Sequence, residues 1–472
     1  MFNIIKKIIM LNKPNSNQIL KELLNSFEKI NFWEYVELTG ANPKLQKKHY
    51  LVSVIEILLK KTNEQKFSLC RKNDMIYLFN TECWEHINND LFKDFLGQVA
   101  LKIGVDRFDA KLHNFKDELL KQFISDARLK EIKSEIQTTL INLINGTFEI
   151  NGTTQNIREF RKSDFLTYQL PFEFDPNAKC PKFMNFLNEV LPEKELQNVL
   201  SEYLGYIFIK NGVLKLEKVL LLYGTGANGK SVLFEIICAL IGKHNITNYS
   251  LQSLTDKDGY RRAMIANKLL NYASEINGKL EISFFKQLAS GEPVEARLPY
   301  GNPLLITDYA KLIFNCNELP RDTEQTNAFF RRFIILPFRN TIPPEKQNKK
   351  LAEQIINDEL SGIFNWVIEG LKRLLENENF TESQIIKNEV VQYQIESDSV
   401  LMFLEDLEYE KSLNETVTVS FVYDEYKTYC RENGYVFCSV KTFSQRIVNK
   451  GIERKRANPL TVFRMQKKVI ST

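Results

Sequence analysis

Residues 224–231, GTGANGKS, set three glycines ahead of a lysine and a hydroxyl. Glycines at 224, 226 and 229 let a backbone turn tightly and aim its N–H groups inward, as phosphate oxygens require. The spacing G-x-x-x-x-G-K-[ST] is met in full, so Lys230 would reach the β- and γ-phosphates and the Ser231 hydroxyl would ligate Mg²⁺. The expected cofactor contacts are Gly224, Thr225, Gly226, Ala227, Asn228, Gly229, Lys230, Ser231 and Val232, with ATP and Mg²⁺ as the ligands. A chance glycine turn is the alternative reading. Against it, KVLLLY (218–223) reads as a buried strand ahead of the loop, and VLFEIICALIG (232–242) as a helix whose N-terminus favours an anion. No guanine-reading NKxD-type motif follows.

Binding alone does no work. Hydrolysis also needs a carboxylate near the metal and the attacking water, a polar group on the γ-phosphate, and a cation for developing charge. NKLLNYASEI (267–276) is an apolar strand that ends in Glu275, and AKLIFNCNELP (310–320) is another that ends in Asn317. NAFFRRFIILPF (327–338) sets Arg331 beside Arg332 ahead of a further strand, where an arginine could reach a neighbouring subunit's nucleotide. Taken singly, these are equally a surface glutamate, a turn asparagine and a solvated arginine pair.

Two segments carry charge suited to nucleic acid. GEPVEARLPYGNPLLIT (291–307) reads as a β-hairpin whose tip bears Arg297 and Tyr300, a cation for phosphate beside a face for base stacking. From 439 to 472 nine basic residues meet one acidic residue, a local +8 in a chain of net charge +4. There Lys441, Arg446, Arg454, Lys455 and Arg456 would lie on a helix and a hairpin. A packing hairpin and a solvated charged face are the competing readings.

The elements around these residues follow from breakers and periodicity. At 472 residues the chain exceeds one ordinary core. Its 43% hydrophobic and 26% charged content is that of a globular protein. No run of 18 uncharged apolar residues offers a membrane span, and the apolar start MFNIIKKIIML reads as an amphipathic helix rather than a signal peptide. Seven cysteines without a CxxC pair and four scattered histidines point to neither a disulfide framework nor a metal cage, and suit a reducing cytosol. Helical spacing covers 16–60 and 90–145, with a small hairpin at 67–87 and β-rich sequence at 146–170. Residues 218–340 alternate strands and helices, the pattern of a mostly parallel sheet, and helices follow to about 402. Helices near 420–432 and 441–449 and a hairpin over 452–466 give the outline of a winged helix.

The order and spacing of these parts resemble the superfamily-3 helicases, AAA+ ring motors, and most of all the phage and plasmid primase-helicase branch that includes the poxvirus primase-helicase. The resemblance rests on FDPNAKCPKFMNFL (174–187), FFKQLASGEPVEARLPYGNP (284–303), CNELP (316–320), FFRRFIILPF (329–338), SGIFNWVIEGL (361–371) and ESDSVLMFL (396–404), from about residue 130 to the C-terminus. It implies an α/β fold with an AAA+-like P-loop core, a mainly helical α+β region before it and a winged-helix-like domain after it. The implied boundaries are 1–130, 131–210 (adaptor or collar), 211–342 (ATPase core), 343–402 (helical extension) and 403–472. Lys230 and Ser231 would contact phosphate and Mg²⁺. Glu275 would be the Walker B acid and a metal-shell ligand, Asn317 sensor 1, and Arg331 or Arg332 the arginine finger.

The single acid at Ser274-Glu275 departs from the acidic pair of many AAA+ enzymes, which leaves open whether it also serves as base. Implied partners are single-stranded and forked DNA, further copies in a hexamer, and a separate primase or polymerase, in a host cytoplasm. A helicase-loading or origin-binding factor is the alternative. Residues 1–130 lack the Asp-x-Asp constellation of related primase domains, so no primer synthesis is expected of them.

Overall fold

Asn15 and Asn88 show how the first part of the chain is punctuated: each side-chain oxygen accepts from the N–H groups of the turn that follows and so starts a helix. The computed structural model describes residues 15–38, 44–72, 75–128, 138–151, 154–274, 276, 280–299, 301–320, 326–457 and 459–468. The amphipathic helix expected at the start, Glu275 and Tyr300 lie outside the described residues. The chain divides into two units, 1–174 and 175–472.

In the first unit, α1 (Ser16–Asn25), α2 (Phe32–Val36) and α3 (Lys47–Glu64) precede an antiparallel sheet of β1 (Ser68–Lys72), β2 (Met75–Phe79) and β3 (Trp84–Ile87). Then come α4 (Asn89–Ile103), α5 (Arg107–Lys111) and α6 (His113–Asp126), followed by a second antiparallel sheet of β4 (Thr138–Leu143), β5 (Gly146–Asn151) and β6 (Thr154–Arg158). The core joins Leu23, Ile55, Leu58, Phe92, Leu96 and Phe123.

Two expectations need correction here. The helix read over 90–145 ends by 126, and 138–143 is a strand. TTLINL pairs Thr139 with Ile150 and Ile141 with Phe148 about the Ile144-Asn145 turn, and that hairpin pairing outweighs an apolar spacing that also fits a helix. The hairpin read over 67–87 has a third strand, because Trp84 packs on Phe79 and so brings β3 alongside β2.

In the second unit, α7 (Pro181–Val190) and α8 (Lys194–Tyr206) lead into the central sheet. It alternates β7 (Val219–Tyr223), α9 (Lys230–Ile241), β8 (Ile246–Thr247), α10 (Leu251–Leu254), α11 (Tyr260–Met264), β9 (Leu270–Ala273) and α12 (Ile282–Ser290). The hairpin β10 (Val294–Arg297) and β11 (Pro303–Ile306), then β12 (Lys311–Cys316), α13 (Asn327–Phe330) and β13 (Phe333–Pro337) complete it. Five strands, in the order β13-β7-β12-β9-β8, all run parallel. Such strands are covered on both faces and so read as apolar runs, as VLLLY and FIILP do.

Helices α14 (Leu351–Asn377), α15 (Gln384–Glu396) and α16 (Ser399–Asp406) follow. The end of the chain holds β14 (Tyr409–Lys411), β15 (Val417–Thr418), α17 (Val419–Glu432), α18 (Val440–Asn449), β16 (Arg454–Ala457), β17 (Leu460–Phe463) and β18 (Met465–Lys467) around Phe403, Tyr426, Phe443 and Phe463. The helix-helix-hairpin order matches expectation, and β14 and β15, which pair with β18 and β17, were not foreseen. No described helix is long and apolar enough to cross a membrane. All seven cysteines are free.

Candidate functional site

Parallel strands gather their carboxyl ends on one edge of the sheet, and ligands of such sheets bind in the crevice beyond that edge. Strand β7 lies between β13 and β12, so its exit loop has a neighbour on each side. Gly224 N–H donates to Cys316 O at 3.1 Å, and Asn228 Nδ2 to Phe338 O at 3.0 Å. Ile342 N–H donates to Ala227 O at 2.8 Å, so residues 338–342 line the loop along its length. Ala227 holds φ +60, a left-handed conformation that side chains rarely take and that tends to mark functional loops.

Gly229 caps α9 at φ +85, with Phe186 and Val190 of α7 against its Cα. Lys230 is buried and donates to Gly224 O, to Thr225 O at 3.2 Å and to Asn228 Oδ1 at 3.1 Å. Burial lowers its pKa, with the Cys316 sulfur opposing. A buried ammonium at a helix N-terminus, held by backbone oxygens, can exchange those partners for phosphate oxygens. Ser231 is exposed on the first turn of α9.

Asn317 follows the last residue of β12 and is exposed, one residue beyond the Cys316–Gly224 bond that joins its strand to the loop. Buried Tyr272 of β9 donates to buried Asn315 of β12 at 2.9 Å, and Phe234 of α9 meets the Tyr272 ring edge-on at 4.7 Å. This fixes β9, which precedes Glu275 in the chain, against β12, which ends just before Asn317. Tyr203 of α8 also ties the sheet, donating to Leu312 O at 2.7 Å.

The arginine doublet divides. The Arg331 side chain is 63% exposed and pairs with Glu217 Oε2 at 2.8 Å. The Arg332 side chain is 9% exposed. It donates to Ala328 O and to Ser290 Oγ at 3.2 Å and pairs with the same Glu217 oxygen at 3.1 Å, and its buried Nε has no acceptor among the described residues.

The hairpin forms as expected. Val294, Ala296 and Ile306 face inward, while Arg297 is exposed and donates to Gly301 O at 2.9 Å. Sequence reasoning missed its anchor, buried Arg262 of α11. That residue donates to Glu295 O at 2.8 Å and Leu254 O at 3.0 Å and lies 3.8 Å over the Phe284 ring. Exposed Tyr260 and Arg261 are on the same short helix, and Gly259 O accepts from Arg297 N–H at 3.2 Å. The run YRRAM was the available signal. Arg339, exposed and paired with Glu389, was missed as well; it follows Phe338 at the flank of the glycine loop.

At the C-terminal end, Lys441 is exposed on α18, and Arg454, Lys455 and Arg456 are exposed on β16. Arg446 turns toward Asp398 at 3.4 Å and is half-buried, so its charge is already engaged within the protein.

Three family models match parts of the chain. Residues 56–192 match "D5 N terminal like", 222–332 match a family of unknown function, and 395–469 match "Poxvirus D5 protein-like". The chain is 26% identical over 233 residues to "Putative helicase L207/L206" of Acanthamoeba polyphaga mimivirus, covering 46% of this chain and 23% of that protein. It is 24% identical over 246 residues to "Putative helicase 184R" of Invertebrate iridescent virus 6, covering 47% and 24%. The matches thus span about a quarter of these relatives' length. Among solved structures, the apo form of the NrS-1 C-terminal region aligns over 88% of this chain and 100% of that one, at 12% identity and a TM-score of 0.45. As the resemblance to the phage and plasmid primase-helicase branch led one to expect, the chain carries one segment of the D5 N-terminal type and one of the poxvirus D5 type, flanking the stretch that holds the glycine loop and both arginines, and it is homologous to viral proteins described as putative helicases.

Proposed function

We infer that this chain is the ATP-driven motor of a replicative DNA helicase, working as a ring on single-stranded DNA. The observation that carries the reading is the carboxyl edge of the central sheet. There a glycine loop with a buried lysine opens a helix, Asn317 stands just past the end of the adjacent strand, and the strand before Glu275 is bonded to that same strand. The donor set suits ATP with Mg²⁺: Lys230 and the loop N–H groups for phosphates, Ser231 and Glu275 for the metal shell, Asn317 for the γ-phosphate or water. Bound nucleotide supplies the phosphoryl bond whose hydrolysis drives movement. The protein's part is to hold the phosphates, orient water and meet the developing charge.

The fold is then an AAA+-like P-loop core. Arg331, exposed beside the sheet, is suited to reach a neighbour's nucleotide, which favours a hexamer. Arg297 on the hairpin, with Tyr260 and Arg261 beside its base, offers cations and an aromatic face to a single strand, and Tyr300 in the sequence between the two strands would add a second aromatic face. Lys441, Arg454, Lys455 and Arg456 in a winged-helix-like end would bind the duplex arm of a fork. The named relatives support a helicase reading in kind.

A forked-duplex displacement assay tests this. The wild-type chain should release the strand with ATP, and Lys230→Ala should neither hydrolyse ATP nor release it. ATP hydrolysis without strand release would instead favour a loading or origin-binding factor.

A further inference from the structure

Two adjacent arginines ahead of one strand would normally be read as interchangeable. Their surroundings show that they are not. Among the described residues, Arg331 has one side-chain partner, Glu217, and its side chain is 63% exposed. The Arg332 guanidinium is enclosed by three elements: α13 through Ala328 O, the segment before β7 through Glu217, and the last residue of α12 through Ser290 Oγ. It cannot swing outward without losing all three.

We propose that Arg332 is a positioning residue that, through Glu217 and Ser290, couples the hairpin-bearing end of α12 to Arg331, so that engagement of a single strand sets where the Arg331 guanidinium is held. The proposal rests on the motor reading above.

Three observations carry it. Ser290 ends α12, Gly291 turns the chain at φ +68, and the hairpin begins at Val294. That turn is braced by the Tyr309 hydroxyl, which lies 3.1 Å from Gln287 O and 2.8 Å from Glu292 O and shares its one proton between them. A shift of the hairpin base therefore reaches Ser290 rather than being absorbed in a loose loop.

Second, both guanidiniums converge on the same oxygen, Glu217 Oε2, at 2.8 and 3.1 Å. A change in how Arg332 holds that oxygen alters what remains for Arg331. Third, Glu217 adopts φ +53, a left-handed backbone that is uncommon for a residue with a side chain and that its surroundings hold in place. Here the surroundings include Lys218, whose ammonium donates to Arg331 O, and Val219 N–H, which donates to Arg332 O at 2.8 Å. The buried Nε without an acceptor marks Arg332 as a group whose hydrogen bonding is incomplete in this arrangement and open to improvement in another.

The experiment compares Ser290→Ala, Ser290→Thr and Glu217→Gln in the full chain. It reads ATP hydrolysis with and without oligo(dT), and oligo(dT) affinity by fluorescence anisotropy. Ser290→Ala removes one hydroxyl outside the nucleotide and strand contacts. It should keep basal hydrolysis and affinity while losing about tenfold in strand-stimulated hydrolysis, the factor equivalent to one hydrogen bond. Ser290→Thr keeps the hydroxyl and should restore the stimulation. Glu217→Gln should release Arg331 and narrow the gap between basal and stimulated rates from the basal side.

Full stimulation in Ser290→Ala overturns the coupling. So does a parallel fall of basal rate, affinity and stimulation, which would mean a merely structural serine. Should Ser290→Ala fail to fold, Glu217→Gln decides, and an unchanged basal-to-stimulated ratio there overturns the coupling. If the wild-type chain hydrolyses ATP but is indifferent to oligo(dT), it is the motor reading that fails, and the coupling with it.

Discussion

Gly229 and Gly226 sit three residues apart in one loop, yet alanine should act differently at the two. At Gly229 a Cβ would lie 2.6 Å from Val190 Cγ1 and 3.0 Å from Phe186 Cε2, and the backbone holds φ +85. The left-handed conformation costs a side chain about 1–2 kcal/mol, and forcing a methyl into a filled contact costs about 1–3 kcal/mol. Gly229→Ala should therefore destabilise the second unit by about 2–5 kcal/mol, a fall in Tm of roughly 4–10 °C for a unit of this size. At Gly226 nothing lies within 4 Å of the position a methyl would take, and the backbone is not left-handed. Alanine there should leave stability within about 0.5 kcal/mol. Thermal unfolding followed by tryptophan fluorescence checks both, because Trp366 packs edge-on against Phe183 of α7 at 5.3 Å, on the helix that Gly229 touches. A Trp366→Phe control identifies its signal. If Gly229→Ala melts within about 1 °C of the wild type, α7 does not rest on the loop as described and the reasoning is refuted.

Burial pushes the Lys311 ammonium down to about 8. Its folded pKa is below the unfolded value of about 10.4, so the cost of burying the charge is complete below pH 8 and fades as pH rises past it. Wild-type stability measured against Lys311→Met by urea titration should thus rise by about 3 kcal/mol between pH 8 and 10.5, and a flat difference refutes the assignment. Buried Glu359 accepts the Lys182 and Phe183 N–H groups at 3.0 and 2.9 Å and so caps α7 from α14. Glu359→Ala should lower the unfolding free energy by about 2–4 kcal/mol and weaken nucleotide affinity through α7; unchanged urea midpoints would count against it. Arg331→Ala should cut hydrolysis about 10³-fold without loss of nucleotide affinity, and mixing it with Lys230→Ala chains should recover part of the rate. Activity that stays at zero in proven mixed rings excludes a shared site. Arg332→Ala, by contrast, should act first on Tm.

The parts of the site that were legible in the sequence are those whose chemistry is local. A glycine loop between a buried strand and a helix needs only its own residues and their spacing, and the hairpin over 291–307 announced itself by alternation and a proline-glycine tip. What depends on residues far apart in the chain was not legible. Nothing in "FFRR" says that one arginine is enclosed and the other exposed, because Glu217 and Ser290 lie far upstream. Nothing in "YRRAM" says that Arg262 lies beneath Phe284 and bonds to the Glu295 carbonyl, because both partners come from later in the chain. The strand at 138–143 was read as helix because isoleucine and leucine at mixed spacing satisfy both periods, and only the partner strand decides. The C-terminal edge strands are two or three residues long, too short for any period to register.

The same non-locality explains why the phosphate loop is flanked by so much helix. Its neighbours come from both sides of the core: Phe186 and Val190 ahead of it, Phe338 and Ile342 behind it. Two buried carboxylates lock those flanks together. Glu359 caps α7 from α14, and Glu202 of α8, fully enclosed, accepts from Arg373 Nε at 2.7 Å and from Thr381 N–H at 2.7 Å. A buried carboxylate with all its partners is stable where it sits, and one that loses a partner is strongly destabilising. The helices before and after the core therefore move as one body or not at all, and the loop they hold inherits that rigidity. A loop so held keeps its N–H groups aimed before any anion arrives, which is the preorganisation that phosphate chemistry rewards.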